Sequence, residues 1–588
     1  MCRFGKFYNV HLSLYVMKKL VVDILVKALP EMDIKLEKEE IESMVEVPPQ
    51  LDMGDYSFPC FAFAEKLKRS PHEIALELRE KIGNISELDF ESVDVMDGYV
   101  NFIFERQSMA RKVVWDAIND KADYGSSKIG KGKKIVVEFS SPNVAKPFGI
   151  GHLRSTIIGN SLANIADFVG YKVKKVNYLG DWGSQFGKLI AAFEEIGDED
   201  KLMKDSMDYM LKLYVKANKY KKYEKLGHET FQRLENKDRK ALMMWKVFRN
   251  LSIDEFEKIY NTFKIKFDEF SGESQSVKYT GRVIEELKKK KLLKKSKGAM
   301  IVDLKKYDLG VVLIQKTDGT TLYATRDIAE AIRRYEKYKF DEMIYEVGQE
   351  QNLYFKQIFK VLELMGYDWA KVCQHVSHGL YLDKDGKKFA TRKGKTILME
   401  DILEKTKKLT AKEIKKRWPK VSKKELQRRA LIVAIAAIFY GDLKNNRKKD
   451  MVFDLKKFTS FEGNTGPYLL YTYARASSIL EKANTKKGNS KIKIDSVEEI
   501  GDLMPKEFEL VKELSLFLDK VQESFNKLNP SVVAAYCYDV CQTFNEFYHC
   551  CPVIGSENVG FRLALVEAFR QTLRNALRLL GIDVLEEM

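Results

Sequence analysis

Between Ser140 and Thr156 the chain reads Ser-Ser-Pro-Asn-Val-Ala-Lys-Pro-Phe-Gly-Ile-Gly-His-Leu-Arg-Ser-Thr, and these residue types suit a phosphate ligand. Gly149 and Gly151 let backbone approach a guest, and the N-terminus of a following helix favours negative charge. Lys146 adds a cation, and Asn143 and His152 add polar groups at the same place. A dinucleotide fingerprint is excluded, because Arg154 stands where the third glycine belongs and the ten-residue loop with two prolines is too long for the tight turn. A Walker loop is excluded too, since no Gly-Lys-Ser/Thr ending is present. Three further groups have bland readings when taken alone. Gly386-Lys-Lys-Phe-Ala-Thr-Arg-Lys-Gly394 reads as a solvated basic loop, and Asp327 as a carboxylate at a helix start. Cys537, Cys541, Cys550 and Cys551 with His549 lack the paired spacing of a zinc site and read as a packed helix.

The elements that must position these groups follow from periodicity. Residues 135–139 form a short apolar strand, 152–169 a helix and 172–179 a second strand, which implies a parallel βαβ unit. Residues 200–300 are Lys-rich and read as a mostly helical insertion, with helices over 209–223, 239–263 and 279–295. Alternation of strand and helix then resumes with strands at 310–315 and 343–347 and a helix over 351–365. Beyond Glu400 the pattern is helical to the end, with a polar loop at 485–495. Ahead of the strand at 135, the segment Tyr124 to Lys133 reads as a Gly/Ser/Lys-rich linker. It closes a small α+β unit with helices at 18–29 and 72–84 and a strand at 99–104.

A chain of 588 residues implies several domains, and its 45% hydrophobic and 32% charged residues are those of a globular protein. The net charge of +16, from 101 basic and 85 acidic residues, points to a polyanion or a phosphorylated ligand. That charge is uneven: residues 1–130 hold 17 Lys/Arg and 23 Asp/Glu, a net of −6, which leaves +22 for the remainder. The longest apolar run, Ala430 to Tyr440, is eleven residues and too short for a membrane span. Lys18 and Lys19 interrupt the N-terminal apolar stretch, so no signal peptide is expected, and Met17 is an alternative start. Seven cysteines, odd and sparse, exclude a disulfide scaffold and fit a reducing cytoplasm.

The run from Val137 to Gly159, followed by Asn177-Tyr-Leu-Gly-Asp-Trp-Gly-Ser-Gln-Phe-Gly187, resembles the core of the class I arginyl-tRNA synthetases. The class motif His-Ile-Gly-His is present as Gly149-Ile-Gly-His152, without its first histidine. The resemblance places the second class motif, a mobile basic loop, at Gly386–Gly394, where Lys388 matches the first lysine and Thr391 replaces the second. It implies that Lys146 compensates, with Arg392 and Lys393 as further cations, while Gly149, Gly151, His152, Lys146 and Lys388 bind ATP. Fixed cations there would offset charge built up when a carboxylate attacks the α-phosphate. The resemblance assigns Tyr323, Asp327 and Gln351 to the arginine side chain, and Glu138, Ser141, Asn143 and His152 to the rest of that substrate or its pocket. A guanidinium calls for planar, bidentate carboxylate recognition, which rejects lysine without an editing domain.

Glu462 to Arg475 resembles the start of the family's anticodon-binding bundle, which implies RNA contacts for Tyr468, Tyr471 and Arg475, and also for Tyr548 and the terminal Met588. Met53-Gly-Asp-Tyr-Ser57 and Asp97–Phe102 resemble the appended domain that meets the tRNA elbow, which brings in Asp55 and Tyr56. The implied fold is multidomain: a 1–16 extension, a small α+β domain at 17–128, an α/β Rossmann-type catalytic domain at 129–400 with a helical insertion at about 200–300, a helical linker at 401–466 and an all-α anticodon-binding bundle at 467–588. The implied activity is ligation of L-arginine to tRNA(Arg) through arginyl-adenylate, with ATP and Mg2+, in the cytoplasm, by a monomer that meets no membrane. The family typically needs bound tRNA for the first step. Gly149 and Thr391 keep open an alternative, a non-catalytic tRNA-binding protein that retains the fold. A stand-alone nucleotidylyltransferase would share the glycine-histidine motif but would not need the C-terminal bundle.

Overall fold

The computed structural model describes residues 14–48, 53–84, 90–317, 319–383, 385–387, 398–486 and 500–588, with residues 14–16 and 484–486 described by backbone only. In the first unit, helix α1 (Leu14–Ala28) and strand β1 (Tyr56–Pro59) precede helix α2 (Pro71–Ile82). Helix α2 starts on a capping box: Ser70 Oγ accepts from the Glu73 amide at 3.2 Å, and the Glu73 carboxylate accepts from the Ser70 amide at 2.9 Å. Strands β2 (Phe90–Met96) and β3 (Tyr99–Phe104) form a hairpin across Asp97 and Gly98, both at positive φ (47° and 94°), as a two-residue turn of that hand requires. The antiparallel sheet runs β1-β3-β2, and helix α3 (Arg106–Asn119) leads out of it.

The central sheet is parallel. Strand β4 (Lys134–Glu138), helix α4 (Ile150–Phe168) and strand β5 (Lys172–Leu179) are the expected βαβ unit. Ile135, Val136 and Val137 are buried in succession, as befits a strand covered on both faces. Helix α5 (Ser184–Ile196) follows, then α6 (Ser206–Lys219), α7 (Lys222–Glu235) and α8 (Arg239–Thr262). The single helix expected over 209–223 is interrupted at Tyr220, whose backbone is extended. The insertion, expected to be mostly helical, also carries strands. Residues Glu269–Gly272 form strand β6, which pairs with β5 as the edge of the main sheet. Four residues including Ser and Gly carry no alternation, so only the pairing makes this segment a strand. Helix α9 (Glu273–Lys289) ends six residues earlier than its expected bound of 295, and β7 (Leu293–Ser296) and β8 (Ala299–Asp303) follow.

Strand β9 (Val311–Gln315) joins β7 and β8 in a separate antiparallel sheet rather than resuming the parallel one. The parallel pattern returns with helix α10 (Tyr323–Tyr338), strand β10 (Glu342–Gly348), helix α11 (Asn352–Leu364) and strand β11 (Cys373–His378). The sheet order is β11-β10-β4-β5-β6, so the chain winds one way from β4 and later returns to its other side. Such a switch opens a crevice at the carboxyl ends of β4 and β10.

The remainder, expected to be helical to the end, is so apart from a two-residue strand, Met451–Val452, that pairs with Tyr381–Leu382; its main helices are α12 (Met399–Arg417), α13 (Lys423–Leu443), α14 (Gly466–Lys486), α15 (Pro505–Ser515), α16 (Phe517–Asn526), α17 (Ser531–Cys550) and α18 (Val559–Leu579). Among the described residues no helix is long and apolar enough to cross a membrane. The 124–133 segment, expected as a linker, is packed. A Cβ on Gly125 would lie 2.2 Å from the Phe517 ring and one on Gly130 2.1 Å from Tyr171, while Asn575 on α18 donates to the Lys121 and Tyr124 carbonyls at 2.7 and 3.1 Å. The expected loop at 485–495 falls almost wholly outside the described residues.

Candidate active site

A cavity of about 530 Å³ lies at the switch point, bounded by the ends of β4, β5 and β10 and by one face of α10. Tyr323, Asp327, Glu330 and Arg334 line it, and their spacing of four, three and four residues is the stripe one helix face presents. Glu138, Ser141, Asn143 and Gln351 line it as well. Six of the seven residues expected to hold arginine therefore converge here, and His152 does not line the cavity. Tyr178, Glu273 and Tyr354 also face it and escaped the sequence reading. Tyr178 sat inside a quoted motif, but nothing local marked Glu273 or Tyr354.

The walls are rich in charge. Arg334, 1% exposed, bonds to Glu138 and pairs with Glu330 at 2.9 Å, and Arg333 pairs with the same Glu330 at 2.7 Å. Glu273 pairs with Arg326 at 3.1 Å. Asp327 differs: its oxygens accept from the hydroxyls of Tyr178 (3.3 Å) and Tyr354, and among the described residues it forms no ion pair. Burial raises its carboxyl above the ordinary value, opposed by the Tyr354 hydrogen bond and then by Arg334 and Arg326. Burial pushes Glu138 up to about 7 despite Arg334, and Glu273 up to about 8 despite Arg326. A buried cavity holding a carboxylate that forms no ion pair is a place for a cationic guest. Each Asp327 oxygen keeps a lone pair for it.

The loop after β4 is strained and well anchored. Ser140, Ser141 and Ala145 sit at φ 74°, 45° and 62°, a region that side chains other than glycine avoid. The Ser140 amide donates to Ser155 Oγ at 2.9 Å, its hydroxyl meets Tyr260 at 2.7 Å, and the Ala145 amide donates to Ser252 Oγ at 3.0 Å. Tyr260 and Ser252 belong to α8, so the insertion braces this loop. Ser141 Oγ is buried without a hydrogen-bond partner among the described residues, and Ser141 lines the cavity.

At the start of α4, the Gly149 amide donates to His152 Nδ1 at 3.3 Å. That bond places the ring proton on Nε2. Burial first, and Lys146 second, push His152 down to about 4, so the ring is neutral at pH 7 and Nε2–H is a donor without charge. Lys146 Nζ lies 5.3 Å over the ring of Tyr214. Lys388, Thr391, Arg392 and Lys393 fall outside the described residues. The segment beyond them is tied to the same loop: Leu398 bridges to Gly149, and the Met399 amide donates to the Phe148 carbonyl at 3.0 Å. Arg154, the residue that broke the dinucleotide pattern, is buried, pairs with Asp442 on α13 at 3.3 Å and donates to the Lys449 carbonyl at 2.9 Å. It joins the sheet's helix to the helical region, a role no glycine could take.

The helical bundle gathers four of the residues expected to meet RNA. The Arg475 guanidinium lies 5.1 Å over Tyr471 and 5.6 Å over Tyr548, and it donates to Asn545, which in turn donates to Tyr468 at 2.8 Å. Asn545 was missed, since an isolated Asn on a helix carries no signal. Three expected contacts face inward instead. Asp55 accepts from the Phe104 amide at 3.0 Å and pairs with Lys512 at 3.5 Å, Tyr56 packs edge-on against Phe104, and Met588 lies in the core. Each is at most 4% exposed, so none presents a side chain to RNA. Cys537 and Cys541 are buried on α17, where burial raises both thiols.

Comparison with known proteins yields a consistent set. The family model for the catalytic domain of class I (R) tRNA synthetases matches residues 113–455, the DALR anticodon binding domain matches 469–588, and the arginyl tRNA synthetase N terminal domain matches 16–104. Arginine--tRNA ligases of Clostridium botulinum (strain Loch Maree / Type A3) and Clostridium perfringens (strain 13 / Type A) are 43% and 42% identical, over 94% of this chain and 97% and 98% of theirs. In fold, the chain is similar to the Thermus thermophilus arginyl-tRNA synthetase (TM-score 0.79, 24% identity, 97% of this chain and 100% of that one). It is equally similar to that of Plasmodium falciparum (TM-score 0.80, 24% identity, 98% and 99%).

Proposed function

The chain belongs to the class I arginyl-tRNA synthetases, and from that premise we propose a role for each part of the cavity and the loops around it. The activity is that of an arginine--tRNA ligase, which joins L-arginine to tRNA(Arg) at the expense of ATP through an arginyl-adenylate. The buried, cation-free carboxylate of Asp327 carries the assignment of the cavity to the substrate side chain. Its two oxygens take two guanidinium N–H groups in parallel, and Glu273 takes a third from the outer side. Tyr323 and Gln351 close the sides, Glu138 held by Arg334 forms the floor, and Ser141 and Asn143 meet the α-amino and carboxylate end. Lysine offers one ammonium and leaves part of this acceptor set unpaired, which is the basis for rejecting it.

ATP sits over the N-terminus of α4, with its phosphates against the Gly149 and Gly151 backbone, the Nε2–H of His152 and Lys146. Lys388, Arg392 and Lys393 supply further positive charge from a segment whose far end is fixed to Gly149. A carboxylate oxygen of arginine attacks the α-phosphorus, the bond to the bridging oxygen breaks, and pyrophosphate leaves. The 2′-hydroxyl of the terminal adenosine then attacks the arginyl carbonyl and AMP leaves. No covalent enzyme intermediate is needed, because position and fixed charge do the work. Mg2+ accompanies the nucleotide. Bound there, it would offset phosphate charge as pyrophosphate leaves.

Tyr468, Tyr471, Arg475 and Tyr548 form a surface on which unpaired bases stack, and the bundle from 467 is the anticodon-binding part. The remaining divisions are 17–128 for the elbow-binding domain, 129–400 for catalysis and 401–466 for the helical link. The enzyme acts in the cytoplasm as a monomer. The test is arginine charging of total tRNA by the full chain, with pyrophosphate exchange measured with and without tRNA. Charging is expected, with exchange poor until tRNA is added. Failure of the parent chain to charge any tRNA overturns the reading.

A further inference from the structure

The arginine pocket already contains a guanidinium of its own. Arg326, 7% exposed, lies behind the cavity wall without lining it, while its two partners, Glu273 and Tyr323, do line it. Its Nε stands 3.1 Å from Glu273 Oε2, and its guanidinium carbon stands 4.8 Å over the Tyr323 ring. Tyr323 is 58% exposed and opens α10, so little else holds its ring. Glu273 opens α9, directly after the edge strand. Helix α9 belongs to the insertion and α10 follows it in the chain, and Arg326, on α10, is the cation that ties these two wall residues together.

We infer that Arg326 is a positioning residue for arginine recognition: it pins Glu273 by one oxygen and beds the Tyr323 ring, leaving Glu273 Oε1 aimed at the incoming side chain. The inference rests on the reading of this cavity as the arginine pocket. Oε1 accepts no hydrogen bond from a described residue, whereas Oε2 is in ion-pair contact with Arg326 Nε, without hydrogen-bond alignment. The pairing also favours the ionised form of Glu273. Burial, Asp327 and Asp181 all push that carboxyl up, and Arg326 is the group that opposes them. A neutral Glu273 would offer a proton to a guanidinium that has only protons to give. Lysine at 326 would keep the charge but not the flat face that beds the tyrosine.

The experiment compares full-length Arg326→Ala, Arg326→Lys and Asp327→Asn in steady-state arginylation, varying arginine and ATP separately. Arg326→Ala is expected to raise KM for arginine about 10- to 100-fold, the loss of one charge-assisted contact, with ATP KM and kcat at saturating arginine close to the parent. Arg326→Lys should fall between the two, since it restores the charge alone. An arginine KM within about twofold of the parent in Arg326→Ala overturns the inference. So does a common loss in kcat and both KM values, which would mark a structural role. If Arg326→Ala does not fold, Arg326→Lys decides on the same criteria. Asp327→Asn separates the two readings. A raised arginine KM there with none in the Arg326 variants refutes the positioning role alone. No change in any of them refutes the pocket.

Discussion

Replacing Asp327 by Asn should move substrate affinity and stability in opposite directions. The side chain keeps its shape, and both tyrosine neighbours can still bond to it. What it loses is the charge and one of its two acceptor oxygens, so an amide N–H now faces a guanidinium N–H. Two charge-assisted hydrogen bonds are worth about 3–6 kcal/mol together, which is a loss of about 10²–10⁴ in kcat/KM for arginine. In the free enzyme the sign reverses. Burial holds the Asp327 carboxyl above its ordinary value, so the ionised form is less comfortable folded than unfolded at neutral pH. Removing that charge leaves the denaturation midpoint equal or higher. The assay is arginylation with arginine varied at saturating ATP and tRNA, together with urea denaturation of the free enzyme. Arginine KM within about threefold of the parent would refute the assignment, and a marked fall in the midpoint would show that Asp327 is a structural carboxylate instead.

Arginine KM should rise as pH falls from about 8.5 to 6, because a bound cation favours the ionised forms of Glu273 (about 8) and Glu138 (about 7). Calorimetry at pH 7 in two buffers of different ionisation enthalpy should then show protons released on arginine binding, and equal heats in both would contradict this. His152→Gln should keep more charging activity than His152→Asn, since Gln can place an N–H near Nε2, and neither the parent nor the variants should show an inflection from this residue near pH 6.5. Gly159→Ala should cost about 1–3 kcal/mol in stability through overpacking. A Cβ there would stand 2.1 Å from that of Phe139, and an unchanged melting temperature would count against the close packing of α4 on its sheet.

Within windows of some fifteen residues, the sequence carried much of the design. The strand at 172–179 and the helix at the glycine-histidine loop were legible because period and cap chemistry are local. So were the residue types for phosphate and for a guanidinium, since a given ligand limits which side chains can answer it. Three things were settled only by assembly. Residues 269–272 became a strand because β5 offered a free edge. Asp55, Tyr56 and Met588 turned inward because packing fills the core with whatever the chain brings to it. The singling out of Asp327 was likewise a tertiary fact. Arg334, Arg333 and Arg326 arrive beside Glu138, Glu330 and Glu273 from one helix, and among the described residues Asp327 is left without an ion pair. Which charge goes unpaired depends on distances between segments far apart in the chain, and no spacing along the sequence records those distances.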